Sequence, residues 1–345
     1  MMNLCIRQYD KVDREKWDIF VRGNSMGWAY HLYDVISWDW DSTVIHKSFA
    51  IVDADTDDIL FLCQLCQTNT HPLLHKIGVK REDLISRWGY VMKDGLTKRP
   101  FVKVKSCFED YIDAYMKINR IKHFYLNFPP LAPAFEPGHC HRINPSIYLN
   151  FEPALRYTWM IDLSKDEGRM LADCEETTRQ AVRKIEASGK YAVVEAVGTM
   201  KELEIYTALY EETHRRTGVA EEKFLSASYQ KNIFLNLIPR GLCRVFFLKE
   251  VATGEYMASV AVLICKNSAN YWWGSSKTDK EVGVNKYLLF KIIMLMREKF
   301  SLKGFFETGG AYVHYRNGKR KGLSDFKKSF GTFLYPIYGG TYMRK

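Results

Sequence analysis

The sequence predicts an α/β fold made of two tandem units, each with a mixed β-sheet and helices packed on its faces. Six of the ten prolines fall within residues 129–153, where they disfavour helices and central strands and so mark a connection between two halves. Each half contains an aromatic strand with a glycine, then a helix, then a lysine-led aromatic strand. Gly89 and Phe124 are 35 residues apart, and Gly274 and Phe305 are 31 apart, as expected of a duplicated unit.

Hydrophobic periodicity predicts the elements of each half in order. In the first half the predicted helices are Arg14–Arg22, Ala29–Trp38 and Phe108–Asn119, and the predicted strands are Thr43–Val52, Ile59–Gln67 and Lys122–Phe128. In the second half the predicted strands are Thr158–Leu163, Leu242–Leu248, Tyr256–Cys265, Asn270–Ser275 and Gly304–Thr308, and the predicted helices are 170–185, 203–218 and 285–300. The predicted domains are residues 1–150, which residues 331–345 could complete, and residues 151–330.

The composition is that of an ordinary globular protein, with 47% hydrophobic and 26% charged residues among 345. No apolar run approaches the roughly 20 residues that span a bilayer. The first residues also lack the apolar segment of a secretory signal. We therefore expect a cytoplasmic location without a transmembrane segment.

Cysteine and histidine spacing raises the question of a metal site. Cys63 and Cys66 are followed by His71 and His75, a spacing that zinc could use. However, both cysteines lie in a predicted buried strand, where free cysteine is a common small hydrophobe. We predict structural cysteines and no metal, both here and at residues 139–141.

Positive charge is concentrated near the C-terminus. Residues 311–345 contain eight lysines or arginines and one acid, Asp325, and so account for +7 of the net charge of +10. Such a cluster attracts phosphate groups. The expected partners are a nucleotide, a tRNA, a lipid pyrophosphate or an anionic membrane surface, and a merely solvated basic surface is the alternative.

Five segments of the second half carry distinctive residues: Met160–Leu163, Arg179–Ala187, Leu209–Gly218, Glu307–Gly310 and Gly322–Gly331. In order and spacing they resemble the motifs of the FemABX branch of the GNAT acyltransferases, which include R-x-x-I-R-K-A, L-Y-x-x-T-x-x-R-x-G and G-L-x-x-F-K-x-x-F-G. The resemblance implies two tandem GNAT-like domains. It also implies transfer of an aminoacyl group from aminoacyl-tRNA to an amine of a bacterial peptidoglycan precursor, or of an acyl group from acyl-CoA, as in relatives in envelope and polysaccharide pathways.

Such a reaction requires little covalent chemistry from the protein. An attacking amine must be neutral, although alkyl amines have a pKa of about 10. The enzyme must therefore assist deprotonation, align the reactants and stabilise the developing oxyanion. We expect no tightly bound cofactor, with aminoacyl-tRNA or acyl-CoA as co-substrate and a nucleotide- or lipid-linked envelope precursor as acceptor.

Within the closing motif, the resemblance implies that Lys327 reaches the donor phosphates or the reacting carbonyl. Phe326 would pack beside it, and Lys328 could share its charge. Glu307 ends a strand just before two glycines and is the candidate catalytic carboxylate, although a structural role stays open, as it does for Asp325.

The resemblance also suggests substrate-binding arginines. Arg216 and Tyr271 occupy positions at which the family contacts phosphates or the nucleotide of the acceptor, a task that suits the arginine fork. Arg179 and Arg183 are four residues apart on one predicted helix, so they share a face that binds substrate or is simply solvated.

Residues 280–285 occupy the position of the pyrophosphate loop of CoA-dependent GNAT enzymes. Gly283 fits that loop, Lys280 can replace its first position, and Asn285 departs from its last. Because a helix N-terminus still offers amides to phosphate, Gly283 and Asn285 are predicted cofactor-binding residues. Three hypotheses remain: an aminoacyl- or acyltransferase acting on an envelope or glycan precursor, an acetyl-CoA-dependent N-acetyltransferase acting on an amino sugar or similar amine, and an inactive GNAT scaffold that binds RNA.

Overall fold

The computed structural model describes residues 2–36, 44–69, 82–138, 143–218, 226–278 and 281–343. The chain divides into two compact units. The N-terminal unit consists of Met1–Arg156 together with Pro336–Lys345, and the C-terminal unit is Tyr157–Tyr335. Within the described ranges, no helix is both long and apolar enough to cross a membrane.

The N-terminal unit contains two sets of paired strands. The first is antiparallel, in the order β1-β3-β4-β7, and consists of β1 (Leu4–Gln8), β3 (Phe49–Asp53), β4 (Asp58–Cys63) and β7 (Tyr90–Met92). The second has the order β2-β5-β6-β8-β15, with β6 and β8 parallel, and consists of β2 (Val44–His46), β5 (Cys66–Asn69), β6 (Glu82–Ser86), β8 (His123–Asn127) and the end of β15 (Phe333–Met343). Its helices are α1 (Arg14–Gly23), α2 (Tyr33–Ile36) and α3 (Lys98–Ile118).

The C-terminal unit has one mixed sheet in the order β10-β11-β12-β13-β14-β9. All neighbours are antiparallel except β13 and β14. The strands are β9 (Glu152–Asp162), β10 (Tyr191–Glu195), β11 (Cys243–Glu250), β12 (Tyr256–Cys265), β13 (Ser268–Ser276) and β14 (Phe305–Gly310). The helices are α4 (Glu167–Asp173), α5 (Glu176–Ser188), α6 (Met200–Arg216), α7 (Ala227–Asn232), α8 (Val284–Glu298) and α9 (Gly318–Lys328).

Local sequence explains how the helices of the C-terminal unit are placed. The Thr199 hydroxyl accepts a hydrogen bond from the Glu202 amide, and the Glu202 carboxylate accepts one from the Thr199 amide at 2.8 Å. This capping box fixes the first turn of α6. In α8, Leu288, Leu289 and Ile292 belong to one apolar stripe that is buried in the hydrophobic core with strand residues of the sheet.

Strands β13 and β14 separate after a short parallel contact. They pair only at Ala269 with Phe306 and at Asn270 with Glu307. The register of β14 against β9 also shifts between Glu307 and Gly309, which is a β-bulge. Because two central strands part here, their ends can present side chains to a ligand instead of to each other.

The predicted α/β class is confirmed, and each strand predicted for the second half overlaps an observed one. Two predicted boundaries were wrong. The helix predicted over residues 170–185 is interrupted at Cys174, whose backbone is extended, so that α4 ends there and α5 starts at Glu176. The helix predicted over Phe108–Asn119 begins earlier, at Lys98, so the prediction missed its first turns.

The first predicted hairpin also differs in detail. Its two long strands are each divided, into β2 and β3 and into β4 and β5, because each half pairs with a different set of strands. The helix predicted over Ala29–Trp38 is a 3₁₀ turn at Ala29–His31 followed by α2, and its last two residues lie outside the described ranges. Strands β1, β6, β10 and β15 and helices α7 and α9 were not predicted.

Candidate functional site

A buried carboxylate lies where β13 and β14 separate. Glu307 is only 4% exposed. Its two oxygens each accept a hydrogen bond, one from Thr158 Oγ1 at 2.8 Å and the other from Asn270 Nδ2 at 2.9 Å. Thr158 belongs to β9 and Asn270 to β13, the two strands that flank β14. The sheet therefore holds a desolvated acid in a fixed orientation.

A buried lysine accompanies this acid. Lys327, in the last turn of α9, is 7% exposed and is the only buried lysine or arginine among the residues that the structure describes. Its Nζ forms no hydrogen bond or direct ion pair with a described residue. Gly309 makes room for it, because a Cβ at this position would lie 2.8 Å from Lys327 Nζ. Gly309 also has a φ of +86°, a conformation that favours glycine.

Burial changes the acid–base properties of both groups in opposite directions. It lowers the pKa of Lys327 to about 8, and the negative charge of Glu307 opposes this shift. It raises the pKa of Glu307, against the hydrogen bond from Thr158, the charge of Lys327 and the hydrogen bond from Asn270. Lys327 is therefore a desolvated cation at neutral pH that can also release a proton close to physiological pH.

Replacing Lys327 by methionine should stabilise the fold at neutral pH, and this gain should disappear as the pH rises. The pKa of Lys327 is about 8 in the folded protein and 10.5 ordinarily. Between these values the unfolded chain binds more protons, so the stability of the native protein rises with pH. The gain should shrink by about 3 kcal/mol across this window. Denaturant unfolding of both proteins at several pH values measures it, and two parallel stability curves would contradict a buried ammonium.

A cavity of about 190 Å³ lies beside the end of β13. Its walls come from α6, β12, β13, α8 and α9. The polar part of the lining consists of Thr213, Arg216, Ser259, Tyr271, Ser275, Ser276 and Asn285. The apolar part includes Leu288, Leu289, Leu323 and Phe326. A ligand that fills the cavity thus meets an apolar surface on one side and hydrogen-bonding groups on the other.

The structure divides the predicted site residues between these two places. The cavity is lined by Arg216, Tyr271 and Phe326, which were predicted to bind substrate, and by Asn285, which was predicted to bind the cofactor. Lys327 follows Phe326 on α9 but lies in the buried cluster with Glu307 and does not line the cavity. Helix α9 therefore contributes side chains to both.

Arg216 is anchored at the end of β13. Its Nη1 donates to the carbonyl oxygens of Ser276 at 3.2 Å and Lys277 at 2.7 Å, and its Nη2 donates to Ser276 Oγ at 3.3 Å. No carboxylate within the described part of the chain forms an ion pair with it. The guanidinium thus brings a positive charge to the wall of the cavity.

The other predicted charged residues lie elsewhere. Arg179 donates to the carbonyl oxygens of Ala172, at 3.0 Å, and Cys174, and so satisfies the end of α4. Arg183 and Lys328 are exposed to solvent. None of these three predicted residues lines the cavity.

Gly283, in the loop before α8, has a structural role. Gly283 caps α8 with a φ of +99°, and a Cβ there would lie 2.9 Å from Ala181 Cβ, so glycine allows the loop to pack on α5. Glu281, two residues earlier, forms an ion pair with Lys184 at 3.0 Å. Lys280 lies outside the described residues.

Sequence reasoning missed the residues that hold Glu307 and the serines of the cavity wall. Thr158 and Asn270 are polar positions inside otherwise apolar strands, and this was the one available signal. Ser259 and Ser275 gave none, because they become neighbours only through the pairing of β12 with β13.

The cysteines show no metal-binding arrangement where the structure describes them. Cys63 is buried, and burial raises the pKa of its thiol well above the usual range. No group of three or more possible ligands occurs in the described residues. His71, His75 and residues 139–141 lie outside them.

The class of protein follows from the sequence of the C-terminal unit together with its fold. Residues 172–312 match the family model described as an Acetyltransferase (GNAT) domain. The match runs from α4 to just beyond β14 and so includes Glu307, while α9 with Lys327 lies past its end. The C-terminal unit therefore contains a GNAT acetyltransferase domain, and the predicted acyltransferase class and the predicted resemblance to the GNAT superfamily are confirmed.

Solved structures of low sequence identity share the fold. FemX has 15% sequence identity and a TM-score of 0.65, with 98% of this chain and 97% of that chain covered. The C-terminal domain of a putative lysylphosphatidylglycerol synthetase from Agrobacterium fabrum has 13% identity, a TM-score of 0.57 and coverage of 95% and 90%. A tandem GNAT protein from the clavulanic acid biosynthesis pathway has 12% identity, a TM-score of 0.54 and coverage of 99% of both chains. The prediction of two tandem GNAT-like domains is confirmed. No curated protein sequence matches significantly.

Proposed function

We propose that this protein transfers an aminoacyl or acyl group, with aminoacyl-tRNA as the favoured donor, to an amine of a cell-envelope or glycan precursor. The main observation in support is Lys327, the only buried lysine or arginine of the described residues, at the point where β13 and β14 part. A buried cation without a direct partner destabilises the fold, so its presence indicates a functional role.

The proposed role of Lys327 is electrostatic stabilisation of the transition state. As the amine attacks, an N–C bond forms and the carbonyl oxygen gains negative charge. The intermediate then collapses and breaks the ester or thioester bond, and the amine's proton passes to the departing tRNA hydroxyl or CoA thiol as the amide is left. Lys327 stabilises the developing oxyanion, and a desolvated charge does this more effectively than one in water. The charge of Glu307 favours the protonated form of Lys327, while the hydrogen bonds from Thr158 and Asn270 counteract the rise in the pKa of Glu307.

Two features favour an RNA donor over CoA. Glu281 lies beside the position at which a CoA pyrophosphate would approach α8, and its negative charge disfavours a phosphate there even though Lys184 compensates part of it. The first turn of α9 also exposes Lys319 and Arg320, next to the cavity-lining residue Leu323. Cations at a helix N-terminus attract a phosphate backbone.

An acetyl-CoA-dependent N-acetyltransferase acting on an amino sugar or another small amine is the second candidate. It is favoured by the description of the matching family model and by the free helix N-terminus at Gly283. Both candidates use the same buried lysine, so they differ only in the donor.

The donor can be identified directly. The purified protein is incubated with radiolabelled aminoacyl-tRNA or acetyl-CoA and a panel of amine acceptors that includes lipid-linked and nucleotide-linked peptidoglycan precursors. Transfer that RNase abolishes supports aminoacyl-tRNA, and release of free CoA with acetylated acceptor supports the second candidate. Tight, salt-sensitive RNA binding without consumption of either donor would contradict both.

A further inference from the structure

The polar wall of the cavity contains more hydrogen-bond donors than its own acceptors can use. Ser259 and Ser275 lie opposite each other on β12 and β13, with their hydroxyl oxygens 2.6 Å apart. They are 1% and 7% exposed, respectively. One hydroxyl donates to the other, so the second hydroxyl proton still needs an acceptor. Among the described residues, none is available.

The hydroxyl of Tyr271 adds a second such donor. It lies over Gly274, where an added Cβ would be only 1.8 Å away, so the glycine is what admits this hydroxyl to the cavity. It forms no hydrogen bond with a described residue. Burial raises the pKa of Tyr271 to about 12, so the proton stays on the oxygen at physiological pH.

Ser276 has the same imbalance. Its Oγ already accepts hydrogen bonds from Arg216 Nη2 and Asn285 Nδ2, both at 3.3 Å, and its own proton has no described acceptor. Thr213, by contrast, is satisfied, since its hydroxyl donates to the Ser276 carbonyl and accepts from the Ser276 amide. The polar wall therefore has more hydrogen-bond donors than acceptors, and buried donors without acceptors are unfavourable.

A ligand that supplies oxygen acceptors would remove this imbalance. The opposite wall, with Leu288, Leu289 and Phe326, can take only apolar atoms. The complementary ligand is a short chain with a hydroxyl or carbonyl oxygen on one side and hydrocarbon on the other. A purely aliphatic chain of equal size would leave every one of these donors unpaired.

We propose that Ser259, Ser275 and Tyr271 form a specificity recess that selects an acyl group bearing a hydroxyl or carbonyl oxygen over an aliphatic acyl group of the same size. This inference rests on the proposed acyl transfer and concerns which acyl group is taken. The recess acts on binding and positioning of the acyl chain, whereas Lys327 acts on the reacting carbonyl.

The test compares donors that differ only by a hydroxyl in place of a methyl group. The pairs are tRNA charged with serine or with 2-aminobutyrate, and glycolyl-CoA or propionyl-CoA. We expect the wild-type protein to prefer the hydroxylated member by about tenfold or more in kcat/KM. The double variant Ser259→Ala, Ser275→Ala and the variant Tyr271→Phe should each reduce this preference, and Ser188→Ala, an exposed serine of α5, should leave it unchanged.

Equilibrium binding of the same CoA thioesters, and of adenosine carrying seryl or 2-aminobutyryl through a stable 3′-amide, measures the preference without turnover. A hydroxyl preference in binding that the variants abolish supports the recess even if no donor is consumed, in which case only the proposed transfer fails. Equal affinity for both members of every pair, or a preference that the double variant and Tyr271→Phe retain, would overturn the recess. The ratio is the decisive quantity, because a merely structural effect lowers both members equally.

Discussion

Replacing Lys327 by alanine is expected to lower kcat/KM for acyl transfer by about 10²–10³-fold, the usual cost of losing one preorganised oxyanion-stabilising group. The fold should survive, because the substitution also removes a desolvated charge that forms no direct ion pair within the described ranges. The measurement is steady-state kinetics with the donor identified above, together with denaturant unfolding of the same preparation.

The neighbouring lysine provides a matched control. Lys328 belongs to the same turn of α9 and has the same charge, but its side chain is exposed. Lys328→Ala should therefore change kcat/KM only about twofold, as expected for a solvent-screened charge. If both variants lose activity equally, the general positive field of the tail is responsible and Lys327 has no special role.

How much of the site could be predicted depends on how far apart its residues lie along the chain. Lys327 and Phe326 belong to a short motif, so a local pattern was sufficient to select them. Glu307 was selected because two glycines follow it. The partners of Glu307 could not be selected in this way, since Thr158 is 149 residues away and Asn270 is 37 residues away along the chain. Strand order, which the sequence does not state, brings them together.

The same reasoning applies to the fold. Strands with long apolar runs, such as β12, were predicted with the observed bounds because burial on both faces leaves a continuous hydrophobic signal. Helix α9 was missed because it contains Gly318 and Gly322, buries few side chains and is held mainly by tertiary bonds, such as that from Trp159 Nε1 to Ser324 Oγ at 2.9 Å. Such bonds leave no periodic pattern in the sequence.

The burial of Glu307 leads to the second large effect. Glu307→Gln should shift the alkaline limb of the pH profile of kcat/KM to lower pH. In the native protein, Glu307 opposes the lowering of the pKa of Lys327 by burial. Without that negative charge the pKa of Lys327 falls further below about 8, so less of the lysine is cationic at a given pH. Because the oxyanion requires the cation, activity at mildly alkaline pH should fall about tenfold or more.

Stability should fall as well, because the glutamine amide brings a donor to a place where Thr158 and Asn270 already donate. The expected cost is about 1–3 kcal/mol. Asp325→Asn is the matched control: it removes the same charge from an exposed position on α9, where solvent screens it, and should leave the alkaline limb in place. The profile also separates two roles of Glu307. If this carboxylate supports Lys327, activity should partly return as the pH is lowered. If it is itself the base that deprotonates the amine, the loss should be uniform and the alkaline limb should not move, which would contradict the supporting role.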